Sequence, residues 1–405
     1  MKLRLTTSAV FIVITLCCEA TEVTSPGEKK SEAKASQAIR STPEDAVHFA
    51  ANPVVVEPEV LSLIATKWNN HFNPVVYPNQ SLDQVVVVHP GESIQAAINT
   101  AGSAGGGVVF LKAGTHLLTE QITLKSKVTL CGEGRTLTVL KQAPNFTTGT
   151  AIGAGAKQLT DVLIKDLTLE GLQSGGTAGI VLAGADPKSN WHARIMLQNV
   201  TVIHWAGMGV HIKRTSSIIM DNCEFQYNGS ANGLFHNIYF LHVDRVLQSD
   251  CDMSFPVLGK GNKYTSTTNL IAQRCTIREC KGNGIQADNT DCGHLLFHKY
   301  TISHCGRVAM WFPCENFNDK YKFTEDPKFA PQFVILNRCN IVDNQWGALW
   351  RSVSHAQVIN STFRNAHLDF GLLKCDVAFE NSTLDRPAEN YTDVKQWPQE
   401  VPLLW

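Results

Sequence analysis

The chain has 405 residues, with 35 Lys and Arg against 36 Asp and Glu, 43% hydrophobic residues and 18% charged ones. That composition can bury a large core and excludes wholesale disorder. A net charge near zero argues against a nucleic-acid binder, which needs a strongly basic surface to neutralise phosphates.

Residues 1–20 read as a signal peptide: Lys2 and Arg4 precede an apolar run from Ala9 to Cys18, and Cys18-Glu19-Ala20 offers a small-x-small cleavage site. The run is too short for a good membrane span, nothing later is apolar for long enough, and bulky Leu16 fits lipid attachment at Cys17 poorly. The expectation is a secreted, extracellular protein with no membrane span. Residues 21–45, rich in Lys, Glu, Ser and Ala, read as a disordered leader or linker. Residues 46–84, with Trp68, Phe72 and Tyr77, are expected to wrap onto the domain that follows. Ten Cys remain after Ala20, and an exported chain permits disulfides. Asn-x-Ser/Thr at Asn79, Asn145, Asn199, Asn228, Asn360, Asn381 and Asn390 favours a glycoprotein.

The main domain, residues 85–385, opens with a strand at Val85–Val88. Ser93 then caps a short helix whose Ile94, Ala97 and Ile98 share one side. Strands are predicted at Val108–Leu111, Gln121–Leu124 and Lys127–Leu130. From about residue 161 a repeat takes over, its first strands starting at Asp166, Asn199, Asn222, Asp250, Arg274, Lys299, Arg338, Asn360 and Asn381. Most intervals are 21–28 residues. Short alternating strands at this period, with no amphipathic helices between them, predict an all-β parallel solenoid in which each coil buries its inner face on its neighbours. Residues 386–405 are left as a tail.

The opening His89-Pro90-Gly91-Glu92-Ser93-Ile94-Gln95-Ala96-Ala97-Ile98, followed by Gly105-Gly106-Gly107-Val108-Val109-Phe110-Leu111-Lys112-Ala113-Gly114-Thr115, resembles the N-terminal cap of the pectate-lyase-like superfamily. The resemblance spans roughly residues 83–385. It implies a single-stranded right-handed parallel β-helix with a short capping helix, and a polysaccharide as partner. Lyases, polygalacturonase-type hydrolases, uronan epimerases and phage tailspikes all belong there, so the resemblance specifies the fold and leaves the reaction open.

Cys223, Cys251, Cys275 and Cys339 take the place of Leu167 and Val200 in other coils and are expected to stack inside as thiols, although adjacent coils about 4.8 Å apart would also allow bridges. Cys280 and Cys305 share one offset at a turn and are expected to form a disulfide, with Cys292–Cys314 as a second. His294, His298 and His304 lie nearby, but without a Cys-x-x-Cys pair zinc is disfavoured and no metal ligand is assigned.

The second strands supply outward positions. One column reads Val181, His211, Tyr239, Lys263, Gln286, Ala309, Leu349, and the next Ala183, Lys213, Leu241, Thr265, Asp288, Trp311, Arg351. A titratable centre between bland ends is a candidate site, and the insertion Phe312–Gln332, with Phe317, Tyr321 and Phe323, could wall a cleft. Outward residues of any solenoid are polar, so a solvated face would also give this pattern. His236 and His242 read as structural, Lys260 as reaching the groove from a turn, and Tyr264 as core.

Glycosidic hydrolysis normally needs two carboxyl groups, and the columns supply only Asp288, with Asp291 from the next turn. Asn289-Thr290-Asp291 is faintly similar to the polygalacturonase motif, whose other parts are missing. β-Elimination on a uronate polymer instead needs a cation, a base and an acid. Lys213 or Arg351 would neutralise the carboxylate, Lys263 or His211 act as base, and Tyr239 as acid, with Gln286 and Trp311 contacting substrate. The leading expectation is therefore a monomeric polysaccharide lyase acting on an acidic glycan. Alternatives are a hydrolase, a uronan epimerase that lacks the bacterial Asp-Pro-His signature, or a non-catalytic carbohydrate-binding or structural protein. No cofactor is required: calcium, common in the resembling superfamily, finds no carboxylate cluster on these columns.

Overall fold

A computed structural model describes residues 38–39, 48–69, 72–155, 158–174, 177–231, 233–316, 322–324 and 326–392. The expected signal peptide, most of the expected leader, and Phe317 and Tyr321 lie outside these residues. Where the leader was expected to be disordered, Ala38–Ile39 is a strand pairing antiparallel with Val85 and Val86.

The repeat becomes a parallel β-helix. Each coil lays its strands beside those of the next, as in Thr160–Glu170 against Ala193–Ile203, with Leu167 opposite Val200 and Leu169 opposite Val202, all four fully buried. The nine repeat starts read from the sequence all sit in the left-handed region, with φ between 48° and 56°. Six of the nine are Asn or Asp, the side chains that tolerate this conformation best. The glycine ahead of a second strand has another cause: a Cβ on Gly179 would lie 2.6 Å from the Gly209 carbonyl oxygen of the next coil. Strands continue past residue 385, since Glu389–Tyr391 pairs with Gly371–Leu373 and carries the β-helix into the expected tail. Asp250–Met253, expected as a strand, forms only isolated bridges through Asp252.

Helix α1 (Pro58–Lys67), not foreseen from the sequence, belongs to the segment that wraps the β-helix. It buries Val60, Ile64 and Trp68 against an outward apolar stripe, Met196, Ile219, Leu247, Ile271 and Leu296, one residue per coil. Each such side chain contributes about 1.5–3 kcal/mol. The extended chain before α1 has its backbone satisfied by a polar row beside that stripe: Lys165 Nζ donates to the His48 and Ala50 carbonyls, Gln198 exchanges hydrogen bonds with Asn52, and Gln273 reaches Val55 and Glu57. Glu57 pairs with Arg274, Lys299 and His298, and Glu59 with Asn337 and Arg338.

Helix α2 (Ile94–Ser103) closes the N-terminal end as expected: Ser93 Oγ accepts the Ala96 N–H at 3.2 Å, and Ile94, Ala97, Ile98 and Ala101 are buried. Among the described residues no helix is long and apolar enough to cross a membrane.

All ten described cysteines are free thiols. Cys223, Cys251 and Cys275 are buried inside as expected, their thiols donating to backbone carbonyls, Cys223 to Leu197, Cys251 to Met220 and Cys275 to Gln273. The two disulfides are not formed. Cys280 and Cys305 instead meet as a hydrogen-bonded thiol pair between adjacent coils. Cys292 belongs to the interior, whereas Cys314 turns to the Asp326 carbonyl at 3.3 Å, which separates the second pair. Asn228 cannot carry a glycan in the folded chain, because it is fully buried and donates to the Val202 carbonyl and Asn237 Oδ1.

Candidate functional site

Eight successive parallel strands within a longer sheet carry the candidate site: β1 (Ala178–Ala183), β2 (Val210–Thr215), β3 (Ile238–Val243), β4 (Asn262–Gln273), β5 (Ile285–Asp288), β6 (Val308–Phe312), β7 (Trp346–Arg351) and β8 (Leu368–Leu373). Ile212, Phe240, Tyr264 and Ala287 point into the core, which turns the intervening residues outward. Register places Val181, His211, Tyr239, Lys263 and Gln286 in one row, and Ala183, Lys213, Leu241, Thr265 and Asp288 in the next.

At β6 the register departs from the sequence alignment by two residues. Trp311, not Ala309, pairs with Gln286 and continues the first row to Leu349. In the observed register Ala309 takes the place of Gly284 and Gly347, so no glycine anchors the alignment in that coil. Trp311 is not an open sugar platform: it is buried among Val308, Leu349 and Leu368, with Phe323 edge-on at 6.4 Å. Arg351 is also buried, its guanidinium 4.8 Å from the Phe323 ring centre.

At the middle of the sheet, Lys263 Nζ stands 3.4 Å from Asp288 Oδ2 and 5.6 Å from the Tyr239 ring centre. Thr265 Oγ1 donates to Asp288 Oδ1 at 2.7 Å. Gln286 Nε2 donates to Asp288 Oδ2 at 2.7 Å and reaches Glu315 Oε2 at 3.4 Å. Glu315 begins a short hairpin, Glu315–Asn316 against Lys322–Phe323, and was not identified from the sequence, because the insertion that holds it has no repeat register. Burial and the Asp288 carboxylate push the Glu315 carboxyl up to about 8. Lys260 also converges here. Burial and the Lys263 ammonium lower it to about 7.

Along the same row His211 stacks on Tyr239, centroids 4.9 Å apart. Burial, helped by Lys213, holds the His211 imidazole at about 4, so it is neutral at pH 7 and able to accept a proton. His236 is buried and edge-on to Tyr239 at 5.8 Å, accepting the Lys260 N–H at Nδ1, a structural position like that of fully buried Tyr264. The arrangement therefore joins a neutral base, a phenol and ammonium groups on one face, with the Asp288 and Glu315 carboxyls meeting at Gln286.

A different group, His48, Cys131 and Asp166, offers ligand atoms within 4.8 Å of one another, the only such metal-compatible cluster among the described residues. Lys165 already pairs with Asp166 at 3.2 Å there.

Comparison with known proteins accords with this architecture. A family model described as a right-handed β-helix region matches residues 154–363. Mannuronan C5-epimerase AlgE1 of Azotobacter vinelandii is 29% identical over 175 residues, a match covering 38% of this chain and 12% of that protein. AlgE3 from the same organism is 36% identical over 89 residues, covering 20% and 5%. The chain thus spans a small part of those relatives. Among solved structures, the tailspike of E. coli bacteriophage HK620 superposes with a TM-score of 0.54 at 14% identity, covering 82% of this chain and 64% of that one. The surface adhesin PfbA of Streptococcus pneumoniae gives 0.53 at 15% identity, covering 71% and 85%. Both likenesses are of fold. With a stacked parallel architecture and a family model matching more than half its length, the chain belongs to the right-handed β-helix family.

Proposed function

We propose that this is an exported enzyme that removes the C5 proton of a uronate residue in an acidic polysaccharide, with β-elimination as the outcome. The observation that carries the reading is the neutral His211 stacked on Tyr239, with Lys213 and Lys263 on the same face. His211 takes the C5 proton. Lys213 neutralises the substrate carboxylate, which makes that proton acidic. The C5–H electron pair forms the C4–C5 double bond as the C4–O bond breaks, and the Tyr239 hydroxyl protonates the leaving oxygen. Of the roles left open by the sequence, Lys263 is less suited as base because it is paired with Asp288, and Arg351 less suited as neutraliser because it lies under Phe323. Lysine charge fills the part of a resident cation.

Epimerisation shares the first step, and the partial matches to proteins named mannuronan C5-epimerases favour it as an alternative outcome. A hydrolytic reading is favoured by one further observation, that Gln286 contacts both Asp288 and Glu315 while Glu315 holds its proton to about pH 8, a separation of roles suited to acid and base.

Incubating the protein with polygalacturonate and polymannuronate tests all three. Ultraviolet absorbance from an unsaturated uronate supports elimination. Solvent deuterium entering C5 without chain cleavage means epimerisation, and new reducing ends without unsaturation mean hydrolysis. No change on either polymer counts against the proposal.

A further inference from the structure

The polar row that receives residues 48–59 can be followed coil by coil. Register places Cys131 opposite Lys165, Lys165 opposite Gln198, Gln273 opposite His298, and His298 opposite Asn337. Most of these side chains hold the crossing segment by ordinary hydrogen bonds: Lys165 to the His48 and Ala50 carbonyls, Gln198 to Asn52, Gln273 to Val55 and Glu57, His298 to Glu57, and Asn337 to Glu59. Cys131 differs. It heads the row, fully buried, and meets the segment at the His48 ring, with Sγ 3.8 Å from Nε2. Sulfur is a weak donor and acceptor, and the shorter thiol contact, 3.3 Å, goes to the carbonyl of neighbouring Gly132.

The same separation suits a metal. Zinc bonds of about 2.3 Å to sulfur and 2.0–2.1 Å to nitrogen, opened at a tetrahedral angle, place the two ligand atoms roughly 3.5 Å apart. A carboxylate oxygen of Asp166 lies within 4.8 Å of both. The His48 imidazole is exposed, yet its orientation is set by edge contacts with Phe49 at 5.4 Å and Phe110 at 5.6 Å. Lys165, 3.2 Å from Asp166, spreads its charge over two backbone carbonyls as well. A carboxylate has about four lone-pair sites, so Asp166 can keep Lys165, accept Asn199 at 2.6 Å and still offer a ligand.

We propose that His48, Cys131 and Asp166 bind a zinc ion that clips the start of this segment to the β-helix. Imidazole, thiolate and carboxylate are all zinc ligands, and the two anions balance the divalent charge. As the zinc–sulfur bond forms, the Cys131 thiol gives its proton to solvent. Because His48 is exposed, the fourth position takes water. Cys131 lies on Val128–Gly132 and Asp166 on Thr160–Glu170, away from strands β1–β8, so the inference stands apart from the reaction proposed above.

The test uses the full chain, stripped with a chelator and dialysed, with cobalt(II) as spectroscopic probe and zinc as competitor. The native chain should take up one cobalt ion with a thiolate-to-metal charge-transfer band, which zinc abolishes, and zinc should raise its melting temperature. His48→Ala alters an exposed side chain and should fold, but bind zinc at least about tenfold more weakly. Cys131→Ser should lose the charge-transfer band. In neither variant should zinc still raise the melting temperature. Absence of the band in the folded native chain would overturn the site. A band that persists undiminished in His48→Ala would overturn it too, by placing the ion on other thiols.

Discussion

His211 lies nearly parallel to Tyr239, 11° between ring planes, and two residues further along the same strand Lys213 faces outward beside it. Burial first, and Lys213 second, keep the imidazole at about 4. If His211 is the base, the acidic limb of kcat/KM should fall near pH 4, well below the ordinary 6.5 of histidine. Replacing Lys213 with Met removes a like charge, favours imidazolium, and should move that limb upward. A pH–rate profile of the variant checks the direction.

Tyr239 is enclosed by His211, His236 and Lys263, so its ring is held even when its hydroxyl is lost. Tyr239→Phe should reduce turnover about 10²–10⁴-fold and leave the melting temperature unchanged. Retained turnover would remove Tyr239 from the chemistry. A chelator should have little effect on the native rate, since lysines carry the charge at the site.

Glu315 gives a pH signature independent of substrate. Burial and Asp288 raise it from 4.5 to about 8, so the folded chain keeps a proton that the unfolded chain releases. Its contribution is intact below pH 4.5 and is lost as pH rises toward 8. Glu315→Gln remains neutral, and thermal melts should show it gaining on the native chain as pH rises across that window.

The sign reverses at Glu57. Burial alone would raise this carboxyl, but hydrogen bonds from Lys299, Arg274 and His298 outweigh it and lower the group to about 2. Its contribution is therefore full above pH 4.5 and disappears as pH falls through about 2. Glu57→Gln should cost on the order of 2–3 kcal/mol at neutral pH, with the gap closing in acid. Denaturant melts at both ends of the range measure it.

The coil period was legible because each repeat start must satisfy two conditions, a left-handed turn and a buried residue directly after it, and both mark the sequence at Asn199-Val200 and Asn222-Cys223. Strand parity then placed His211, Tyr239, Lys263 and Asp288 on one face. Trp311 slipped because its coil lacks the glycine that aligned most of the others. Glu315 was invisible because a hairpin outside the repeat delivers it, and its distance from Asp288 is set by tertiary contact through Gln286. Helix α1 was missed because its few apolar residues make sense only once the outward stripe from Met196 to Leu296 exists to receive them.

That stripe has a consequence for how the chain is made and how it melts. In a solenoid each coil touches only its neighbours, so stability accumulates coil by coil and can fray the same way. Residues 48–69 connect coils far apart: Asn52 meets Gln198, Glu57 meets Arg274, and Glu59 meets Arg338. Melting across this span should accordingly be concerted. During synthesis the same segment emerges before these partners, and its last contact, Lys67 with Glu380, becomes available only when the coil containing Glu380 has been translated. Completion of the fold is thereby tied to the arrival of a late coil, although the piece that seals it is made before the coils it spans.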